Sequence, residues 1–289
     1  MTREQIIERE RRWAIPAALI SIGAVVLFAA SLVMLASSYS AEGNAELLRK
    51  VDEGSGTLVL AYAVRALGSA LLAVPLLYLF QAAQARSPGM RRQFIGLCIV
   101  GPLFLAGFSI CTGLSLKDAA PDFVSVAKSM HALGNTDHAD NVAQDVINDS
   151  SLRQFVAGFY IAGALSFAFA MAYSCFHAMR VGLLTRFWGS LGAALGVASI
   201  IFFQYTLLWI AYLGLLIAGW TPRGRPPAWA AGEAVPWPTP GERAAESLRG
   251  EESPDDEEVG TTDADPGSTT DAGEVSDPGT PRRKRKRRG

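Results

Sequence analysis

Apolar positions along this chain gather in long uncharged runs parted by short polar segments. Residues 13–36 form a run of 24 without a charge. Residues 93–116 and 155–179 form two more, and residues 57–82 form another that carries one charge, Arg65. A bilayer core takes about 20 apolar residues per helix, so each run predicts a membrane span. The last run, residues 187–220, is 34 residues long. As one helix it would extend about 51 Å, well beyond a hydrocarbon core of about 30 Å. Its most polar point is Gln204-Tyr205-Thr206, near the middle. The half before it is small and glycine-rich, and the half after it is bulky, with Leu207, Leu208, Trp209 and Ile210. That shift predicts two elements. The expected fold is all-α, a polytopic transmembrane helical bundle of six spans within residues 1–220. The alternative is five spans with a long last one.

The polar segments predict further structure. Residues 41–53 suit a helical turn or two. In the segment 117–152, Phe123, Val126, Ala127 and Met130 recur at helical spacing, predicting a helix over 122–133. Gly134-Asn135-Thr136 ends it, and a second short helix follows over 137–147. Ser151 and Gln154 have the spacing of a capping box before the fourth span. A small helical cap over one face of the bundle is expected. The first run exceeds the 7–15 residues of a signal-peptide core and lacks a cleavage site, so it is expected to be a retained span.

Charge changes this picture by giving it sides. Residues 1–220 carry 15 Lys/Arg against 13 Asp/Glu, and residues 221–289 carry 11 against 14, so the net charge of −1 averages unlike parts. Basic flanks stay cytoplasmic. Arg3, Arg9, Arg11 and Arg12 mark the N-terminal segment, Arg86, Arg91 and Arg92 the loop after the second span, and Arg180 and Arg186 the loop after the fourth. The alternate loops, 38–56 and 117–152, are acidic and expected outside. Six spans also bring Arg223, Arg225 and the C-terminus in, which places both termini in the cytoplasm of a multi-pass cell-membrane protein.

Beyond the spans lies a different kind of chain. Residues 221–249 are a Pro/Trp-rich juxtamembrane segment, with six prolines in residues 221–240. Prolines at that density forbid a regular helix. Trp220, Trp229 and Trp237 are amphipathic rings suited to anchoring at a membrane interface. Residues 250–289 are expected to be disordered: 11 acids fall in residues 251–279 with no base among them, and a basic run Arg282, Arg283, Lys284, Arg285, Lys286, Arg287, Arg288 follows.

Candidate chemistry is sparse. Arg65 lies about 12 Å inside its span if the span starts near residue 57. No acid lies in any span to neutralise it, so its expected partners are helix-end carbonyls or outer-loop acids such as Asp118 or Asp149, around a candidate intramembrane polar site. His131, Asp137, His138 and Asp140 match no zinc spacing, and His177 has no second buried titratable group for a proton relay. Cys98, Cys111 and Cys175 sit in apolar runs as small buried residues. Gly189, Gly192 and Gly196 form a small-residue stripe for helix packing inside the bundle, or for a homo-oligomer. Gly158 and Ala162 form a weaker one. Pro75 and Pro102 are expected to kink their spans. No Ser-His-Asp set, GxSxG, phosphate-binding loop or dinucleotide fingerprint is present, so neither an enzyme nor a cofactor or metal site is expected.

Three stretches carry a resemblance: MTREQIIERERRW at the start, AMRVGLLTRFWGSLGAALGV at residues 178–197, and PPAWAAGEAVPWPTPGE at residues 226–242. In these the chain resembles a group of actinobacterial multi-pass membrane proteins of unknown function. It is also similar to a broader six-span bacterial family in which a Gly-x-x-x-Arg turn joins the fourth and fifth spans. Gly182 and Arg186 take those places. The resemblance implies six spans and no activity. The function expected is a structural or interaction role, with the lipid bilayer as first partner and anionic lipid or a cytoplasmic protein met through the tail. Nucleic acid is an unlikely partner. The alternative is a small transporter or channel-like protein with an outer-facing cavity at Arg65.

Overall fold

The computed structural model describes residues 2–39, 43–132, 138–222, 224–238 and 241–242, without the side chains of 37–39 and 130–132. The tail 250–289, its basic run, Asp137 and the His131 side chain lie outside the described residues. Within them the chain is helical: α1 (Arg3–Tyr39), α2 (Asn44–Leu71), α3 (Ala73–Arg86), α4 (Leu97–Ala132), α5 (Ala139–Asp149), α6 (Arg153–Arg180), α7 (Arg186–Ala218) and α8 (Pro227–Ala231). All belong to the unit Met1–Trp237. Five helical stretches among the described residues are long and apolar enough to cross a membrane: Arg3–Ala36, Asn44–Arg86, Arg92–Ser129, Arg153–Arg180 and Arg186–Ala218. Large apolar side chains on their outer faces, such as Val33, Ile161, Leu165 and Ile201, are exposed. A soluble bundle would cover such a surface, whereas lipid tolerates it.

The fifth stretch folds back on itself. Phe202 leaves helical geometry at φ −120°, ψ 57°. A straight helix would hold Trp188 and Tyr212 about 36 Å apart, yet their rings stack with centroids 3.6 Å apart. Trp209 Nε1 donates to the Trp188 carbonyl over 3.0 Å. Nearer the bend, Thr206 Oγ1 donates to the Leu195 carbonyl over 3.0 Å. α7 is thus an antiparallel pair of limbs, 186–201 and 203–218, each about 24 Å long. No glycine or proline makes the bend. It falls two residues before the polar midpoint, and Thr206 satisfies a carbonyl of the opposite limb. α1 runs against the second limb, with Ser21 Oγ donating to the Ile210 carbonyl over 2.9 Å and the rings of Phe28 and Phe203 5.3 Å apart. α6 packs on the first limb.

Two apolar clusters form the core. The larger gathers Phe80, Phe167, Met171, Trp209, Ile210 and Leu213 between α1, α3, α6 and α7. The smaller, Leu48, Val51, Leu58, Phe123, Ala143 and Ile147, lies at the opposite end, called the cap end below. The expected helix over 122–133 proves continuous with the third apolar run in α4, and α5 lies two residues later than its expected place. The turn or two expected at 41–53 is the start of α2, set off from the rest by non-helical Gly54. The α2–α3 break at Leu72 precedes Pro75, which has no N–H for the Leu71 carbonyl. The capping box does not form: Leu152 caps α6 without a side-chain bond, and Ser150 instead pairs with Ser115.

Candidate functional site

The other end of the bundle carries the most elaborate polar arrangement among the described residues. On α1, Ile6, Glu10, Ala14, Ala17, Ser21, Ala24 and Phe28 share one buried stripe. Six of them are small or apolar, and Glu10 is an acid on the same face. Its partner is Arg86, the last residue of α3. The two side chains are 6% and 0% exposed. Arg86 donates to both Glu10 oxygens, at 2.5 Å and 2.9 Å, to the Ala82 carbonyl at 3.0 Å, and through Nε to the Ala228 carbonyl at 3.1 Å. Four of its five N–H donors are thereby spent. Tyr78 Oη donates to the Glu10 backbone carbonyl over 3.0 Å. A bidentate, fully hydrogen-bonded pair is the arrangement that makes a buried charge tolerable.

Ala228 belongs to the segment after the bundle, which folds over this end as a latch. Pro226 and Pro227 start one turn of helix, α8, because a proline at the first helical position loses no hydrogen bond. The proline-rich segment therefore holds one turn of the regular helix that its composition is expected to forbid. Trp229 is 4% exposed and its Nε1 donates to the Leu183 carbonyl over 2.9 Å. Trp237 Nε1 donates to the Leu184 carbonyl over 2.8 Å, and Arg186 donates to the Trp237 carbonyl over 2.9 Å. Val235 N donates to the Val181 carbonyl over 3.1 Å. Gly182 sits in the α6–α7 turn at φ +81°, where an added Cβ would collide with the Val235 carbonyl. The glycine is required twice, by conformation and by the latch. Glu233 pairs with Arg3, which ties the latch to the start of α1.

Beside the latch lies a cavity of about 720 Å³, walled by Phe187, Trp188, Tyr212, Leu216, Arg225 and Trp237 among others. Arg225 donates to the Ile217 carbonyl at the end of the second limb, while its buried Nε has no acceptor among the described residues.

The residues singled out from sequence fare differently. Trp229 is inside the protein rather than at a lipid interface, and Trp237 docks on the α6–α7 turn, because a backbone carbonyl satisfies an indole N–H as well as a headgroup does. Trp220 is 58% exposed. Gly189, Gly192 and Gly196 are buried within the chain. An added Cβ would approach the Met179 side chain to 2.6 Å at Gly189, Trp209 to 2.5 Å at Gly192, and Met171 Cβ to 3.1 Å at Gly196. The stripe is thus covered by α6 and the second limb. Gly158 has nothing within 4 Å.

Arg65 has no acid and no helix-end carbonyl beside it. Among the described residues it makes no hydrogen bond or ion pair, and its guanidinium lies 4.8 Å over the Phe28 ring. Nearby, the cavity at Tyr62 measures about 50 Å³. Asp140 caps α2, accepting from Ala45 N over 2.9 Å. His177 lies 3.2 Å from Ser87 Oγ. The three cysteines are free, with Cys98 and Cys175 buried and Cys111 half-buried.

Glu10, Arg86 and Arg225 carry the latch end, yet none was singled out from sequence as a site. The readable signal was the acid at Glu10 within a small-residue stripe. No family model matches the chain, and no curated protein or solved structure matches it either.

Proposed function

We propose that this is a six-crossing integral membrane protein with both termini in the cytoplasm, built as a rigid holder for its C-terminal tail. The observation that carries the reading is the Glu10–Arg86–Ala228 lock, which fastens the segment leaving the bundle to α1 and α3. A segment needed only as a loose linker has no use for a buried ion pair. The tail departing after Trp237 starts from a fixed point, suited to presenting its acidic and basic blocks to a lipid surface or a protein partner.

The fold-back at Phe202 supports six crossings, since it brings residues 186 and 218 to the same end of the bundle. Charge supports the sidedness. Arg9, Arg11, Arg12, Arg91, Arg92, Arg180 and Arg186 gather at or beside the latch end, whereas the cap end carries Asp118, Asp122, Asp145 and Asp149. A transport reading lacks comparable support. The cavity beside Tyr62 is small, and buried hydroxyls such as Ser31, Ser109 and Ser199 donate to carbonyls of their own helices.

Single cysteines at positions 138 and 88, in a chain without its three native ones, test the topology. A membrane-impermeant maleimide added to intact cells should label 138 and miss 88; labelling at 88 would overturn it. Truncation after Trp237 tests the holder. The bundle should melt unchanged while tail-dependent capture of vesicles or photo-crosslinked partners disappears. Persistence of that capture would discard the reading.

A further inference from the structure

The cavity beside the latch abuts a second hollow along α7. Its walls Trp188 and Tyr212 also line a second, apolar groove of about 320 Å³ that runs between the two limbs of α7 past Leu191, Leu195 and Leu208. The stacked Trp188 and Tyr212 rings are common to both. The first hollow holds Arg225 among mostly apolar walls at the bundle end, and the second is an apolar trough between the limbs.

The first hollow carries one cation whose donors are not all met among the described residues. Arg225 has five N–H donors. One goes to the Ile217 carbonyl, and Nε is buried without an acceptor among the described residues. The nearest aromatic face is Trp229, 5.9 Å from the guanidinium carbon. Thr185 and Thr221 line this hollow as well, and no Asp or Glu among the described residues does. A buried guanidinium donor without an acceptor is costly unless an anion meets it. A planar fork of this kind suits phosphate oxygens.

We propose that this site binds one anionic phospholipid, its phosphodiester on Arg225 and one acyl chain in the trough between the limbs. The inference rests on the membrane reading and on the proposed sidedness, which make the lipid one of the cytoplasmic leaflet. Two features select a lipid over a soluble phosphate: the trough has apolar walls, and it opens along a face whose Tyr205 and Leu208 are exposed as lipid-facing residues are.

The test uses the full-length protein in neutral detergent at about 0.5 M salt, where the charge of the basic run at 282–288 is screened. Phosphatidylglycerol and phosphatidylcholine with brominated acyl chains are titrated, and quenching of tryptophan fluorescence is read. Phosphatidylglycerol should quench at a concentration about tenfold lower than phosphatidylcholine, because the choline cation of the latter offsets the phosphodiester charge that Arg225 meets. Arg225→Gln should erase the preference. Leu191→Trp, which fills the trough and leaves Arg225 in place, should weaken binding of both lipids. Equal quenching by the two lipids in the native protein, or a preference that survives Arg225→Gln, would overturn the proposal. Glycerol 3-phosphate should compete poorly; competition as strong as unbrominated phosphatidylglycerol would make the ligand a soluble phosphate and overturn the lipid. Maleimide labelling of a cysteine at position 224 from outside intact cells would refute the sidedness while leaving the lipid preference standing, so the two failures are distinguishable.

Discussion

The two ends of this bundle are closed in opposite ways. At the cap end, α2, α4 and α5 meet through an apolar cluster that includes Leu48, Val51, Phe123 and Ile147. The polar ties there are neutral or partly exposed, such as Asn44 to Gln144 at 2.8 Å and the Lys50–Glu46 pair. At the latch end, closure depends on an ion pair with side chains 0% and 6% exposed. Apolar packing tolerates small changes of register, because it is not directional. The latch does not, because Arg86 must find Glu10, Ala82 and Ala228 together. The difference teaches that the latch end is specified more tightly than stability alone asks. A well-packed apolar pair would serve stability as well.

Glu10→Ala should have the largest effect of any single change. It leaves Arg86 buried and unpaired, and should cost about 3–5 kcal/mol. Thermal unfolding in detergent measures it. The double replacement Glu10→Leu with Arg86→Met should recover much of that loss. On the cap end, Asp140→Ala removes an acceptor for Ala45 N and should cost about 1 kcal/mol. Equal losses at the two ends would break the comparison.

Between these lies Gly192→Ala. Its Cβ would come within 2.5 Å of Trp209 and 2.7 Å of Cys175 Sγ, both buried in the larger core. Overpacking of this kind costs about 1–3 kcal/mol. Gly158→Ala, with open space around it, should be neutral by the same melting measurement. A neutral Gly192→Ala would mean that the limbs of α7 separate easily, and would count against the fold-back.

Much of the fold was legible because the length of an apolar run is a coarse signal, and the five runs return as five long apolar helical stretches. The cap helices were legible from the spacing of Phe123, Val126 and Ala127. The division of the last run showed in its composition, though not at Phe202, which carries no turn signal of its own. The latch end was not legible, for two reasons. A flanking arginine marks a side of the membrane and does not disclose the helix face it occupies, so Arg86 reads as a flank marker and Glu10 carries no reading at all. The tryptophans were matched to lipid because an indole does not reveal whether its N–H meets a headgroup or a carbonyl. Arg65 is a related case: a half-buried cation does not need an acid or a carbonyl when an aromatic face, Phe28 on α1, is within reach.

Arg65 and Arg86 share one helical stretch long enough to cross a membrane, α2 with α3, and so offer the sharpest form of the comparison with the smallest effect. Arg86 is fixed by four hydrogen bonds. Arg65 has the Phe28 ring at 4.8 Å. Replacing Arg65 by Leu removes a cation–π contact worth about 0.5–2 kcal/mol. It also removes a charge whose placement deep in a span costs at least about 2.5 kcal/mol near the bilayer centre and less toward its edge. The two terms oppose each other and are of similar size. Arg65→Leu should therefore leave the melting transition nearly unchanged in lipid nanodiscs, or raise it slightly, whereas Arg86→Leu should lower it severely by stranding Glu10. A large loss from Arg65→Leu would mean that the residue is held by more than a ring, and would reopen the outer-facing polar site that its position in the sequence suggests.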